Sequence, residues 1–277
     1  MSARSLLLID TDPGDQGYLS GLLQQEDREI QQVAGSREAL DVIRTGPVDL
    51  VVAAQGNNGF DPLKLLRRVR SIRPDTKVIL TGDFDPQQIL HAIRQRAFGY
   101  LHRPVTPGPL AELVQQALDS ESWQDDIRVV SARPEWITLD VRCKIDAADR
   151  TTHFLREITA NLSTEASEDV SSAFRELLMN AIEHGGKNDP HKRVRTSILH
   201  TSKSIMGLIH DPGTGFSLDF LPHAAISNPD DAPTKHVEVR AEAGKRPGGF
   251  GILLTKNLVD ELLYNERGNA VMFVKYL

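Results

Sequence analysis

The sequence predicts two α/β units in tandem, a parallel doubly wound sheet followed by an α+β sandwich, and three observations carry that expectation. From Ser5 to Leu118, short apolar runs of strand character alternate with amphipathic runs of helical spacing, which builds a parallel sheet covered by helices. From Trp136 onward the pattern changes to strand-like and helical runs punctuated by two glycine clusters. A length of 277 residues also exceeds a comfortable single core, since about 150 residues make a domain.

In the first unit, SLLLID at 5–10 reads as a buried strand, and REIQQVAG, PVDLVVAA and TKVILTGD repeat its signature. Leu19, Leu22 and Leu23 mark a first helix, Ala39, Leu40 and Ile43 a second, Leu63, Leu66 and Val69 a third, and Ile89, Ala92 and Ile93 a fourth. The short strand GYLHRPV then precedes a fifth helix carrying Leu110, Leu113, Val114, Ala117 and Leu118. Five strands and five helices in about 120 residues fit the flavodoxin-like order, whose site lies at the strand C-termini. Residues 1–120 are therefore expected to form one domain. The acidic, interrupted stretch 121–134, closed by Pro134, is expected to be a linker, with the option that the fifth helix runs on into it. Residues 135–277 form the second domain. It opens with the strand WITLDVRC, which includes Cys143, and with an amphipathic helix from Ala147 to Leu162 that places Phe154, Leu155, Ile158 and Leu162 on one face.

Composition narrows the function classes. With 40% hydrophobic and 25% charged residues the chain is globular, and no apolar run approaches the roughly 18 residues that span a bilayer. MSARSLLLID is too short in its apolar part for a signal peptide, so a cytoplasmic, membrane-free protein is expected. A net charge of −6 argues against direct nucleic-acid binding, which needs a concentrated basic face. Arg67, Arg68 and Arg70 are the nearest approach, and a solvated helix flank explains them better. The single cysteine permits no intrachain disulfide.

The most informative stretch is AFRELLMNAIEHGG. Leu177, Leu178 and Met179 indicate a buried helix, yet Glu176, Asn180 and His184 recur every fourth residue and so share one side of it. A solvated face explains such a stripe about as well as a ligand does, until two later segments are added. In DPGTGF, Gly213 and Gly215 follow the strand-like run Ile205 to Ile209 and permit close backbone approach to a ligand, with Asp211 as a fixed acceptor. In GGFGILLTKN, Gly248, Gly249 and Gly251 open a helical run from Ile252 to Leu263, and free N–H groups at a helix N-terminus attract phosphate. Between the glycine clusters, residues 217–247 turn polar and proline-rich, as a functional or disordered loop does.

These motifs, in this order and with the closing YNERGNAVMFVKYL, resemble the Bergerat-type ATPase domain of histidine kinases and gyrases, and most closely the bacterial anti-sigma factor serine kinases. The resemblance covers Trp136 to Leu277. It implies ATP and Mg²⁺ as cofactors, Asn180 as the magnesium ligand, Asp211 as the partner of the adenine amino group, and Glu176 as general base. It also places His184 and the glycines 213, 215, 248, 249 and 251 around the nucleotide, and residues 217–247, with Lys245 and Arg246, in a lid. There is no room for the paired helices that carry the phosphohistidine of a sensor kinase, and His153 lacks their motif.

The first unit resembles a response-regulator receiver domain over residues 5–120, with Asp10, Thr11, Asp12, Ala54, Thr81 and Arg103 at the strand ends. Receivers use paired acids after the first strand, an aspartate acceptor after the third, Ser or Thr after the fourth and Lys-Pro after the fifth. Here the second acid is Thr11, the acceptor position holds Ala54 while an aspartate follows only at Asp61, and Arg103 precedes Pro104. The two resemblances imply a serine/threonine kinase that phosphorylates an anti-anti-sigma (STAS-type) protein and sequesters a sigma factor, fused to a non-phosphorylatable receiver-like domain, and forming a homodimer through its ATPase domain. An ATP-dependent protein-binding module without turnover is the alternative.

Overall fold

The computed structural model describes residues 3–10, 16–56, 60–133, 135–160, 162–215 and 251–277, divided between two compact units, Met1–Asp125 and Asp126–Leu277. Thr11, Asp12, Gly248, Gly249, Lys245, Arg246 and the rest of the expected lid lie outside the described residues.

The first unit runs β1 (Arg4–Ile9), α1 (Gln16–Leu23), β2 (Arg28–Val33), α2 (Ser36–Thr45), β3 (Leu50–Ala54), α3 (Pro62–Ile72), β4 (Lys77–Gly82), α4 (Pro86–Arg94), β5 (Gly99–His102) and α5 (Pro107–Asp119). Its strands pair in the order β2-β1-β3-β4-β5, all parallel, which is the flavodoxin-like order. Every residue of β3 is buried, as a central strand covered on both faces requires. The helices start where local chemistry dictates. Asp61 accepts from the N–H groups of Leu63 and Lys64, Asp85 forms a capping box with Gln88, and each is followed by a proline whose missing N–H costs nothing there.

The second unit runs β6 (Ile127–Arg133), β7 (Trp136–Arg142), α6 (Ile145–Ile158), α7 (Thr164–Asn180), a π turn (Ala181–Gly185), β8 (Arg193–His200), β9 (Ser204–His210), α8 (Gly251–Leu258), β10 (Glu261–Tyr264) and β11 (Ala270–Tyr276). Its six strands pair antiparallel in the order β10-β11-β9-β8-β7-β6. Ile205, Ile209, Val271 and Phe273 face Phe174, Leu177 and Leu178 of α7 in one core. The opposite edge of the strand alternation leaves Trp136, Leu208 and Leu263 exposed.

Several boundaries differ from expectation. Residues 121–134 are not a free linker. Trp123 belongs to the first unit's core, edge-on to Phe98 at 5.5 Å, and Ile127–Arg133 is a strand of the second sheet. The interrupted, acidic composition hid both, because an edge strand needs few apolar residues and one tryptophan anchors a turn. The fifth helix ends at Asp119, and α6 ends at Ile158 rather than Leu162. Cys143 lies one residue past β7, its N–H bonded to the Lys192 carbonyl. The helix expected to reach Leu263 stops at Leu258, since the Asp260 N–H donates to Val274 and 261–264 pair with β11. Arg70 leaves the basic run: its guanidinium donates to the Pro74 and Thr76 carbonyls and lies 4.4 Å from the Trp123 ring centre.

The second unit is fastened at its first residue. Asp126, 2% exposed, meets Lys144 Nζ at 3.1 Å and Arg150 Nη1 at 3.5 Å, and burial pulls the Arg150 pKa down to about 10. Asp126→Ala leaves a buried guanidinium without its carboxylate, so a loss of about 3 kcal/mol in unfolding free energy is expected from urea titration.

Candidate functional site

Helix α7 begins at Ser163, whose hydroxyl accepts from the Ala166 N–H at 3.2 Å. Val170, Ala173, Phe174, Leu177 and Leu178 form its buried face, which leaves Glu176 and Asn180 half-buried on the other side, one turn apart. Beyond Asn180 the helix widens. The Gly186 N–H bonds to the Ala181 carbonyl five residues back, at 2.8 Å, so 181–185 is a π turn. The straight i, i+4, i+8 alignment expected for Glu176, Asn180 and His184 therefore fails at its last member. His184 is exposed in the π turn, because the wider turn rotates it away from the axis line of the other two.

The π turn delivers Gly185 to the G1 loop at 211–215. A Cβ on Gly185 would stand 2.2 Å from Asp211 Oδ1, and a Cβ on Gly213 would stand 2.9 Å from the Gly185 Cα. Only bare backbone permits this approach. Asp211 accepts the Gly213 N–H at 2.7 Å, and its own N–H donates to the Asn269 carbonyl at 2.9 Å. Burial raises the Asp211 pKa, while the Gly213 N–H, His210 and Arg267 oppose that rise. Gly215 holds φ +84°, a left-handed conformation that its glycine makes available.

Helix α8 then closes on α7 from above. A Cβ on Gly251 would lie 2.8 Å from Glu176 Oε2 and 3.4 Å from Asn180 Nδ2, so the first residue of α8 sits directly on the two polar groups of α7. The Asn180 Nδ2 atom is buried and, among the described residues, has no hydrogen-bond partner. The structure thus groups Glu176, Asn180 and Gly251 in one cluster, and Asp211, Gly213 and Gly215 in a second that reaches the same π turn through Gly185. Sequence reasoning missed the close packing at Gly185 and Gly186, which the glycine pair following the helix signals; Cys143 packs behind Gly186 as a buried structural residue. The Cys143 Sγ would lie 2.2 Å from a Cβ on Gly186, and burial pushes its thiol pKa up to about 11.

In the first unit, Asp10 and Thr81 are fully buried, and Ala54, the last residue of β3, pairs with Thr81 of β4. Arg103 lines a cleft of 380 Å³ with Tyr18, Leu19, Asp83, Pro104 and Val105. Asp61 is spent on capping α3, so the first carboxylate that follows Ala54 in the sequence is engaged elsewhere. The Asp83 N–H donates to Gln55 Oε1 at 3.0 Å, the Phe84 N–H donates to the Tyr100 hydroxyl at 3.0 Å, and that hydroxyl donates to the Gly82 carbonyl. Two side chains thereby hold three consecutive residues at the end of β4.

Two family models match the chain: one described as a histidine kinase-like ATPase domain, over residues 142–275, and one described as a response regulator receiver domain, over residues 6–115. The chain joins a receiver domain to a histidine kinase-like ATPase domain. The transcriptional regulatory protein GlrR of Escherichia coli (strain K12) is 28% identical over 124 residues, which are 44% of this chain and 28% of GlrR. The hydrogenase transcriptional regulatory protein HoxA of Cupriavidus necator is 24% identical over 125 residues, 44% of this chain and 26% of HoxA. The chain thus matches less than a third of the length of these relatives. A CheY-like receiver domain protein from Methanospirillum hungatei JF-1 superposes with TM-score 0.40 at 24% identity, over 43% of this chain and 95% of that one.

The ATPase domain has what a magnesium nucleotide needs. Mg²⁺ takes one or two protein oxygens and completes its shell with water and phosphate, so one carboxamide suffices. The unpartnered Asn180 side chain fits that role once its amide is turned to present oxygen. Among the described residues no group of three or more His, Cys, Asp and Glu is placed to hold a metal unaided. In the receiver domain the chemistry points the other way. An alanine methyl cannot attack a phosphoryl group, so incubation with acetyl phosphate and Mg²⁺ is expected to leave the domain's intact mass unchanged, and a gain of one phosphoryl group would displace Ala54 from the acceptor position.

Proposed function

We propose that the protein is an ATP-dependent serine/threonine kinase of the anti-sigma type. It phosphorylates a serine of an anti-anti-sigma (STAS-type) protein, sequesters a sigma factor, and carries its receiver domain as a regulatory or dimerisation module. The observation that supports this best is the placement of the Glu176 carboxylate against the Gly251 backbone, one helical turn from the unpartnered Asn180 amide. A carboxylate at that position can accept the proton of an incoming serine hydroxyl, and general-base catalysis of this kind contributes about 10²–10⁴-fold.

Each residue then has a stated task. Asp211 accepts a hydrogen bond from the adenine amino group and fixes the base. Gly213 and Gly215 allow close approach of the backbone to the base, and Gly251, with Gly248 and Gly249 outside the described residues, is assigned to the phosphates. Asn180 holds Mg²⁺, which when bound supplies charge neutralisation to the transferring phosphoryl group. Glu176 orients the acceptor hydroxyl and takes its proton. His184, exposed on the π turn, is assigned to the nucleotide with them.

A homodimer through the ATPase domain and a cytoplasmic location belong to the same reading. The exposed Trp136, Leu208 and Leu263 on one sheet support the first, since apolar sheet faces of this kind are commonly covered by a partner. No described helix is long and apolar enough to cross a membrane, in keeping with the second. Incubating the protein with γ-labelled ATP, Mg²⁺ and each anti-anti-sigma protein of its host tests the kinase. Label on a serine of one of them supports it; complexes without label favour an ATP-dependent binding module.

A further inference from the structure

Asp211 is held from behind by the turn between β10 and β11, some fifty residues later in the chain. Asn265 shapes that turn: its Oδ1 accepts from the Asn269 and Ala270 N–H groups at 3.0 Å each, and its Nδ2 donates to Asn269 Oδ1 at 3.0 Å. The Asn269 carbonyl accepts the Asp211 N–H at 2.9 Å, and the Asn269 side chain, 5% exposed, bonds to His210 Nε2 at 3.1 Å. From the middle of the turn Arg267 reaches the G1 loop twice. Its Nε donates to the Thr214 carbonyl at 3.2 Å, and its own carbonyl lies so near Gly215 that a Cβ there would stand 1.8 Å from the oxygen.

An exposed arginine is usually a solvated one, and a single surface hydrogen bond contributes little to stability. Arg267 differs because its side chain and its backbone grip adjacent residues of one short loop, and that loop carries the carboxylate assigned to base recognition. Gly215, at φ +84°, would relax toward other conformations if released, since glycine populates both signs of φ. The guanidinium also stands close enough to favour the ionised form of Asp211.

We propose that Arg267 is a positioning residue of the nucleotide site, which locks the 211–215 loop in the shape that presents Asp211 to the base and so sets selectivity for adenine. The inference rests on the ATP-binding reading above. It predicts a defect confined to base recognition, because Asn180, Glu176 and Gly251 touch no part of the turn in the contacts described.

Calorimetry on the full chain with Mg·ATP and with Mg·inosine triphosphate tests it, since the inosine base carries an exocyclic carbonyl oxygen where adenine carries the amino group. The wild type is expected to prefer ATP. Arg267→Ala should weaken ATP binding about tenfold, the scale of one hydrogen bond to a charged group, and leave inosine triphosphate unchanged. Arg267→Lys should recover part of the loss, an ammonium being able to donate to the Thr214 carbonyl but not to reproduce the planar guanidinium. Equal losses for both nucleotides would show a merely structural role and overturn the inference, as would no loss for either. A wild type that binds no ATP overturns this inference together with the reading it rests on, whereas ATP binding that is unaffected by the Arg267 variants overturns this inference alone.

Discussion

Asp211→Ala is expected to abolish ATP binding while the chain stays folded. The carboxylate is the one described side chain at the G1 loop that can both accept from a ligand and hold its own loop, through the Gly213 N–H at 2.7 Å. Its loss removes the acceptor for the adenine amino group and frees Gly213 at once, so at least a hundredfold fall in affinity is expected, the upper end for bonds to a charged partner. Circular dichroism should match the wild type, since Asp211 sits at a loop end and the core residues around Phe174 and Phe273 are untouched. Acidification should reproduce the defect by degrees. Burial already raises the Asp211 pKa, so affinity should fall as pH drops through that raised value, where the carboxylate gains a proton and its acceptor strength declines. His210, Arg267 and Cys143 stand near the same group, and the comparison that isolates Asp211 is the pH profile of Asp211→Asn, which should lose this fall.

Glu176→Gln should separate binding from chemistry. The substitution keeps the size and the half-buried packing against Gly251 but removes the proton acceptor. ATP affinity should stay within about twofold, and phosphorylation of the anti-anti-sigma partner should fall about 10²–10⁴-fold, the range a general base contributes. Single-turnover transfer of labelled phosphate measures it. Equal loss of affinity and rate would assign Glu176 to nucleotide binding instead.

The first domain was legible almost strand by strand because its code is binary and local: buried runs such as LVVAA alternate with helices whose starts are marked by Asp61-Pro62 and Asp85-Pro86. In the second domain the proximity of Glu176, Asn180 and Gly251 was legible, since the structure does bring the three together. Its geometry was legible only in part. Nothing in the spacing of AIEHGG distinguishes a π turn from the α-helix it continues, since the choice depends on Gly186 finding the Ala181 carbonyl while Gly185 makes room for Asp211. Likewise the segment Glu261–Tyr264 has a composition that suits a helix, and becomes a strand because β11 offers it an unpaired edge. Trp123 illustrates the same limit: one aromatic in an acidic stretch reads as linker until Arg70 and Phe98 are seen around it. Contacts with residues distant in the sequence, Asp211, β11, Arg70 and Phe98, contribute to each case.

Asn180, Asp211 and Gly251 are proposed to form one magnesium-nucleotide site, and titration calorimetry of the full chain with ATP, with and without Mg²⁺, tests that directly. One nucleotide per chain, with affinity that rises on adding Mg²⁺ and falls when the ion is chelated, is the predicted result. No binding by the folded chain, or binding indifferent to the metal and unaltered in Asn180→Ala, would contradict it.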